Sequence, residues 1–133
     1  MRHFFTLILA VLLMVSALSG CGCDNGGNAD LVFVNGSDAA IVTVVADSES
    51  HQEGARNADN SPLKRGDSLS FEAGVYPVTM YVYDRSVMGI EENALARIEI
   101  DKAPPEGERW YVTALDWAGG IVLRVDTRWP EGV

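Results

Sequence analysis

The apolar residues of this chain follow two patterns, a long run near the start and short alternating stretches after it. Residues 4–18 are almost continuously apolar, whereas from Leu31 onward apolar and polar residues alternate over short distances. Alternation with a period of two is typical of a strand with one buried face, and the Gly, Asn, Asp and Pro residues between the stretches favour turns. The pattern after Leu31 therefore predicts a series of short β-strands and no long helix.

The strongest predicted strand runs from Val75 to Asp84, with Val78, Met80 and Val82 on one side. We expect the first two strands to form a hairpin, and residues 47–62 to be a long polar loop because they lack an apolar pattern. Seven short strands predict an all-β fold over residues 31–133, a small antiparallel β-sandwich of the immunoglobulin-like or transthyretin-like kind. The predicted strands are residues 31–34, 41–46, 69–71, 75–84, 95–100, 110–117 and 121–129.

The last two strands are joined across Ala118-Gly119-Gly120, which predicts a hairpin with two possible registers. A shift of one residue exchanges the two faces of a strand. Because an unpaired buried carboxylate is costly, Asp116 favours the register that turns it outward. Both registers place Ile121, Leu123 and Val125 in the core. A two-residue Gly-Gly turn would add Trp110, Val112, Ala114 and Asp116 to the core, whereas the favoured three-residue turn would add Tyr111, Thr113, Leu115 and Trp117.

The apolar run near the start has the form of an export signal. It follows Arg2 and His3 and ends in Leu18-Ser19-Gly20-Cys21, small residues before a cysteine. These four residues resemble the lipobox of bacterial lipoproteins. The resemblance implies that residues 1–20 are a cleaved signal peptide and that Cys21 carries a covalent lipid. It also implies a domain held on the extracytoplasmic side of a cell membrane or outer membrane. Residues 21–30, rich in Gly and Asn, are predicted to be a flexible tether.

Two other residues near Cys21 refine this interpretation. Ordinary secretion would leave Cys21 and Cys23 as a pair too close in sequence to reach disulfide geometry easily. With lipid on Cys21, Cys23 is a single thiol whose fate stays open. Gly22 stands where an aspartate tends to retain lipoproteins of two-membrane bacteria at the inner membrane, so delivery to the outer membrane is allowed.

The charge of the chain narrows the classes of partner. Without residues 1–20 the chain keeps 113 residues, with nine basic and nineteen acidic side chains, because the leader contains Arg2 and no acid. That length suits a single domain. So acidic a domain lacks the basic stripes that bind nucleic acid, and its surface would be repelled by anionic lipid. The predicted membrane contact is therefore through the lipid alone.

Candidate catalytic and metal-binding groups concentrate around His51, the one histidine outside the leader. Serines and acids flank it, but no Gly-x-Ser-x-Gly sequence accompanies them, and a lone histidine lacks the partners of a structural zinc site. We predict no catalytic residue and no cofactor apart from the lipid. The candidate calcium ligands are Asp47, Glu49, Glu53 and Asp59, which are also typical of a solvated loop.

Aromatic residues offer the remaining functional hint. They concentrate in the last hairpin and in the strong strand, and interface centres favour Trp, Tyr and Arg. The predicted binding surface consists of Tyr81, Tyr83, Arg124 and Arg128. We therefore expect a binding or interaction module of the cell envelope, with a protein or glycan partner. The alternatives are a small hydrolase that uses acids near His51 and an accessory subunit of an envelope complex.

Overall fold

Eight strands form two sheets of four strands each in the computed structural model, which describes residues 29–86 and 93–133. The strands are β1 (Leu31–Asn35), β2 (Thr43–Ser48), β3 (His51–Ala55), β4 (Ser68–Phe71), β5 (Val78–Tyr83), β6 (Ala96–Ile100), β7 (Trp110–Trp117) and β8 (Gly120–Asp126). The strand order is β4-β1-β7-β8 in one sheet and β3-β2-β5-β6 in the other. The predicted all-β sandwich is thereby confirmed, with one strand more than expected.

Strand β1 occupies the interior of its sheet. It pairs antiparallel with β4 and parallel with β7, so that Leu31 lies opposite both Phe71 and Trp110. The parallel pair departs from the antiparallel pairing that the sequence predicts. All five residues of β1 are buried, because its sheet is covered on both faces. A strand buried on both faces needs no polar alternation, which explains the continuous apolar sequence Leu31-Val32-Phe33-Val34.

The hydrophobic core lies between the two sheets and is filled by every second residue of the strands. Val78, Met80 and Val82 of β5 belong to it, as the alternation predicts, and Leu123 of β8 belongs to it as well. Ile121 and Val125 are partly buried against the same core, so the predicted inner face of β8 is confirmed. The largest other members of the core are Leu31, Phe33, Ile41, Val44, Leu63, Phe71, Ile100 and Val112.

The predicted hairpin between the first two strands is wrong, because β1 and β2 belong to different sheets. The segment between them crosses the sandwich and is anchored by the buried side chain of Asn35. Its amide donates to the carbonyl of Leu63 at 3.0 Å, and its oxygen accepts from the backbone N–H and hydroxyl of Ser37. Gly36 passes so close to β7 that a Cβ atom would lie 3.0 Å from the carbonyl oxygen of Ala114. Turn-forming residues alone could not distinguish this crossing from a hairpin.

The predicted polar loop over residues 47–62 is also wrong. Strand β2 continues to Ser48, and β3 pairs with it as an edge strand, with Ser48 opposite His51 and Val44 opposite Ala55. Strand β3 has the sequence HQEGA and is largely exposed. An edge strand is held by backbone hydrogen bonds on one side, so it can form without an apolar face and gives no periodic signal.

The hairpin of β7 and β8 has neither of the two predicted registers. Its turn consists of Ala118 and Gly119, with Trp117 opposite Gly120 and Ala114 opposite Leu123. Val112 and Ala114 face the core and Trp110 packs against it, which is the face implied by the Gly-Gly turn. The favoured alternative, with Trp117 buried, is wrong. The reason lies in Asp116. It sits at the end of the sheet, where its side chain is half exposed and paired with Arg65, and therefore carries no burial penalty.

The C-terminal residues cover the outer face of the β4-β1-β7-β8 sheet. The ring of Trp129 meets Tyr111 edge to face, with centroids 5.8 Å apart, and the side chain of Val133 lies beside Gly36. Strand β8 ends at Asp126, three residues before the predicted end, because the chain turns back over the sheet. This cover explains why Val32, Val34 and Thr113 are buried although they lie outside the main core.

Asp30 fastens the beginning of β1 to the loop after β4. Its carboxylate accepts hydrogen bonds from the backbone N–H groups of Ala73 (2.7 Å) and Gly74 (2.9 Å) and from the hydroxyl of Tyr76 (2.9 Å). Ala29 is buried beside it. The folded domain thus includes Ala29 and Asp30, which the sequence had placed in the tether. We call this end of the sandwich the Asp30 end.

The predicted signal peptide, Cys21 and the tether up to residue 28 lie outside the described residues. Among the residues described, no helix is long and apolar enough to cross a membrane.

Candidate functional site

The four residues of the predicted binding surface are not brought together. Tyr81 and Tyr83 lie on the outer face of the β3-β2-β5-β6 sheet, as predicted, but they are 8% and 1% exposed and pack with Val45 and Ala94. They offer little surface to a partner. Arg124 faces outward from the other sheet, on the opposite side of the sandwich.

Arg124 and Arg128 differ in their surroundings. Arg124 donates through Nε to both carboxylate oxygens of Asp126, each at 3.1 Å, and Asp126 also accepts from the hydroxyl of Thr113 at 3.3 Å. This arginine is thus engaged within its own strand. Arg128 is exposed beside Trp129 in the C-terminal segment.

The four calcium candidates are also separated. Asp47 lies opposite Gln52 on the outer face of its sheet, whereas Glu53 lies opposite Ala46 and accepts the backbone N–H of Glu72 at 3.3 Å. Glu49 is in the exposed turn between β2 and β3. No group of three or more His, Cys, Asp or Glu side chains suited to hold a metal occurs within residues 29–86 and 93–133.

Asp59, the fourth candidate, serves a local turn. Its carboxylate accepts a hydrogen bond from the hydroxyl of Ser61 at 2.6 Å and another from the backbone N–H of the same residue at 3.0 Å. These hydrogen bonds hold the pKa of Asp59 below its ordinary value.

His51 lies in a shallow cleft of about 450 Å³ at the Asp30 end, together with Glu53, Ser70 and Glu72. Its Nε2 is 3.9 Å from the carboxylate of Glu53, which is too far for a hydrogen bond. Ser48 donates its hydroxyl to the backbone carbonyl of His51 and not to the ring. Within residues 29–86 and 93–133, no serine hydroxyl forms a hydrogen bond with the ring of His51.

A cleft with a volume of about 580 Å³ lies at the opposite end of the sandwich. We call it the Trp117 cleft, and this end the Trp117 end. Trp117 is 68% exposed, the most of any large hydrophobic residue among those described, and Leu95, which lines the same cleft, is 40% exposed. Leu95 is held in place by a backbone hydrogen bond to the carbonyl of Val82 at 2.7 Å. The cleft is lined by Asp38, Ala39, Leu95, Asp116, Trp117, Ile121 and the turn residues 118–120.

The tight turn after β7 explains why Trp117 is exposed. Ala118 and Gly119 both have positive φ, 48° and 84°, as a two-residue hairpin turn of type I′ requires. The residue opposite Trp117 is Gly120, which has no side chain to cover the indole. An alanine in the left-handed region is strained, and such strain is found more often at functional sites than elsewhere.

One edge of the cleft is formed by a charged network centred on Arg65. Its guanidinium donates to the carbonyl of Gly36 at 2.7 Å, to Asp38 at 2.9 Å and to Asp116 at 3.3 Å. The Asp116 carboxylate also accepts the backbone N–H of Asp38 at 3.2 Å. This network ties together the β1–β2 crossing, the turn before β4 and the end of β7, and it gives the cleft a firm polar edge.

The network carries one positive and two negative charges. The hydrogen bond that Arg65 donates to Asp38 and the negative charge of Asp38 raise the pKa of Arg65, and the charge of Asp116 adds to this effect. Asp38 is the most exposed of the three, and its second carboxylate oxygen accepts no hydrogen bond from the described part of the chain. The edge of the cleft is therefore acidic and has free acceptors.

The Trp117 cleft lies far from the residue at which the described chain begins. Strand β7 runs parallel to β1, with Trp110 opposite Leu31 and Trp117 seven residues further along. At a rise of about 3.3 Å per residue, Trp117 lies about 23 Å from the Asp30 end. The two ends of the sandwich are thus distinct surfaces.

Reasoning from the sequence missed this site. The favoured register buried Trp117, and the other lining residues come from segments far apart in the chain. The available signal was the turn itself, because a two-residue turn over Ala118 and Gly119 leaves Trp117 beside a glycine.

Comparison with known proteins finds no match. No family model fits the chain, and no curated protein or solved structure is significantly similar to it.

Proposed function

We propose that this protein is a lipid-anchored binding module on the extracytoplasmic side of a bacterial cell membrane or outer membrane. The lipid is on Cys21, after the lipobox-like sequence Leu18-Ser19-Gly20-Cys21. The domain binds its partner, an envelope protein or a glycan, at the Trp117 cleft. No catalytic step and no cofactor belong to this proposal.

The exposure of Trp117 is the observation that carries the binding role. An indole that is 68% exposed beside an exposed Leu95 costs solvation free energy that burial against a partner would recover. Tryptophan is also enriched among the residues that dominate binding energy at interfaces. The concave shape of the cleft and its polar edge are typical of a binding site.

The position of the cleft suits a protein anchored through Cys21. The residues between Cys21 and Ala29 span at most about 28 Å when fully extended, so the tether keeps the domain near the membrane. The chain joins the sandwich at the Asp30 end, so the lipid is attached at the end opposite the Trp117 cleft. Attachment at that end leaves the cleft itself unobstructed by the tether.

The anchor is tested by the intact mass of protein extracted from membranes, with Cys21→Ala as the matched variant. We expect the wild-type protein to lack residues 1–20 and to carry added acyl mass, and the variant to carry none. An unlipidated mature protein would contradict the anchor and make this a freely secreted protein.

The binding role is tested by chemical cross-linking in intact cells, followed by detection of the protein on a denaturing gel. We expect a discrete adduct with the wild type and with Trp129→Ala, and its loss with Trp117→Ala. Trp129 is the matched control, since it is 44% exposed but lies outside the cleft. Adducts that persist unchanged in Trp117→Ala would contradict the role of the cleft.

A further inference from the structure

We propose that the occupant of the Trp117 cleft is a segment of a partner protein in which a lysine or arginine stands next to a large apolar residue. This inference rests on the proposed binding function and specifies the chemistry of its partner. The apolar residue would enter between Trp117 and Leu95, and the cation would lie beside Asp38.

The lining of the cleft calls for an apolar group. Trp117, Leu95, Ile121 and Ala39 are among the residues that line it, and a volume of about 580 Å³ accommodates one or two large side chains. The backbone of this part of the cleft is held by the β7–β8 pairing and by the hydrogen bond of Leu95 to Val82. Little ordering would accompany binding, because the site is already formed.

The charged edge of the cleft carries a net negative charge and would bind a cation favourably. Arg65 directs its guanidinium at Gly36, Asp38 and Asp116, so it balances only one of the two carboxylates. The free oxygen of Asp38 and the exposed face of Trp117 border the same cleft. A lysine or arginine placed between them would gain both an ion pair and a cation–π contact.

Two other occupants fit less well. A second copy of this chain would bring its own acidic edge, and the chain as a whole has a net charge of −9, so like charges would oppose each other. A sugar could stack on Trp117, but its hydroxyl groups need both donors and acceptors. In the cleft, the sugar hydroxyls would contact the apolar side chains of Leu95 and Ile121 and the carboxylate oxygens of the charged edge, which only accept hydrogen bonds. The nearest charged donor, Arg65, already donates to Asp38.

The test is a selection of displayed random peptides on the full-length protein in detergent micelles, with Trp117→Ala for counter-selection. We expect the enriched peptides to carry Lys or Arg next to Trp, Phe, Leu or Ile. Synthetic copies should bind about tenfold more weakly to Trp117→Ala and equally well to Trp129→Ala. Against Asp38→Asn the affinity should fall about three- to tenfold and depend less on salt.

Four outcomes would overturn the inference. Enriched peptides without basic residues, or an affinity that Asp38→Asn leaves unchanged, would remove the cation. If a panel of envelope oligosaccharides binds in a Trp117-dependent manner and no peptide does, the partner is a glycan, and the proposed function survives without this inference. If neither probe binds and the cellular adduct is indifferent to Trp117→Ala, both the inference and the proposed function fail.

Discussion

The two ends of this sandwich use the same kinds of side chain for opposite purposes. At the Asp30 end, the carboxylate of Asp30 is surrounded by two backbone N–H groups and the hydroxyl of Tyr76. At the Trp117 end, Asp38 and Asp116 share one arginine and stay largely exposed. The hydrogen bonds of Asp30 all lie within the domain and stabilise the fold. Asp38 and Asp116 keep carboxylate oxygens that can accept hydrogen bonds from a partner.

The two tryptophans of β7 also differ in whether their side chains pack within the domain or are exposed to solvent. Trp110 begins the strand and packs against the core, whereas Trp117 ends it and is exposed in a cleft. A side chain that packs and forms hydrogen bonds within the domain contributes to its stability. One that does neither is free to contribute to binding. Stability and binding should therefore respond to mutations at different ends of the molecule.

The largest expected effect is on stability at the Asp30 end. Asp30→Ala leaves three donors without their acceptor, and we expect the free energy of unfolding to fall by about 3 kcal/mol. Asp30→Asn keeps one acceptor oxygen and should cost less. Urea unfolding followed by circular dichroism measures both. A loss below about 0.5 kcal/mol for Asp30→Ala, the usual range for a surface substitution, would show that these hydrogen bonds do not hold the fold.

The two tryptophans give the next contrast. Trp110→Ala removes a side chain packed on the core and should lower the free energy of unfolding by about 2–3 kcal/mol. Trp117→Ala should change it by no more than about 0.5 kcal/mol, because the indole is mostly solvated. Both are measured in the same urea titration. Equal losses would mean that Trp117 has a structural role and would weaken its assignment to binding.

Alkaline pH should lower the free energy of unfolding through the ionisation of Tyr76 at the Asp30 end. Burial, together with the hydrogen bond to Asp30 and its charge, raises the pKa of Tyr76 above its ordinary value. The folded state thus favours the neutral phenol, and this contribution is complete below the unfolded pKa of about 10 and lost as the pH rises above it. The fall cannot exceed about 1.4 kcal/mol per pH unit for one proton.

Tyr76→Phe serves as the control for this pH dependence. The variant lacks the phenol, so its free energy of unfolding should fall less steeply above pH 10 than that of the wild type. The same slope in both proteins would show that other groups cause the alkaline loss.

The smallest expected effect is a gain at the Trp117 end. Glycine adopts the positive φ of Ala118 without strain, and Ala118→Gly should raise the free energy of unfolding by about 0.5 kcal/mol after the added entropy of the unfolded chain. Ala40→Gly is the matched control, since Ala40 is exposed without a positive φ. The free energy of unfolding of that variant should be about 0.5–1 kcal/mol lower than that of the wild type. A loss at both positions would contradict the strain at Ala118.

Much of the fold could be predicted from the sequence because burial imposes a period of two on most strands. The inner faces of β5 and β8 follow directly from Val78, Met80, Val82 and Leu123. The polar edge strand β3 has no such period, and its pairing with β2 depends on backbone hydrogen bonds that any sequence can make. The crossing after Asn35 depends on a contact with Leu63, which is distant in the chain.

The site was harder to predict for a physical reason. Whether Asp116 is buried or exposed depends on where the sheet ends and on Arg65, which belongs to another segment. Without that partner the carboxylate favours the wrong register, and the wrong register buries Trp117. The incorrect assumption that Asp116 has no partner therefore led to the prediction that Trp117, the most exposed aromatic residue of the described chain, is buried.

The most direct test of the difference between the two ends is photo-cross-linking in living cells from p-benzoylphenylalanine placed at position 117 or at position 75. Val75 is the matched position, because it is an exposed apolar residue in the loop that Asp30 holds, at the other end of the sandwich. We expect a discrete protein adduct from position 117 and none from position 75. Adducts from position 75 alone, or equally from both positions, would contradict the assignment of binding to the Trp117 end.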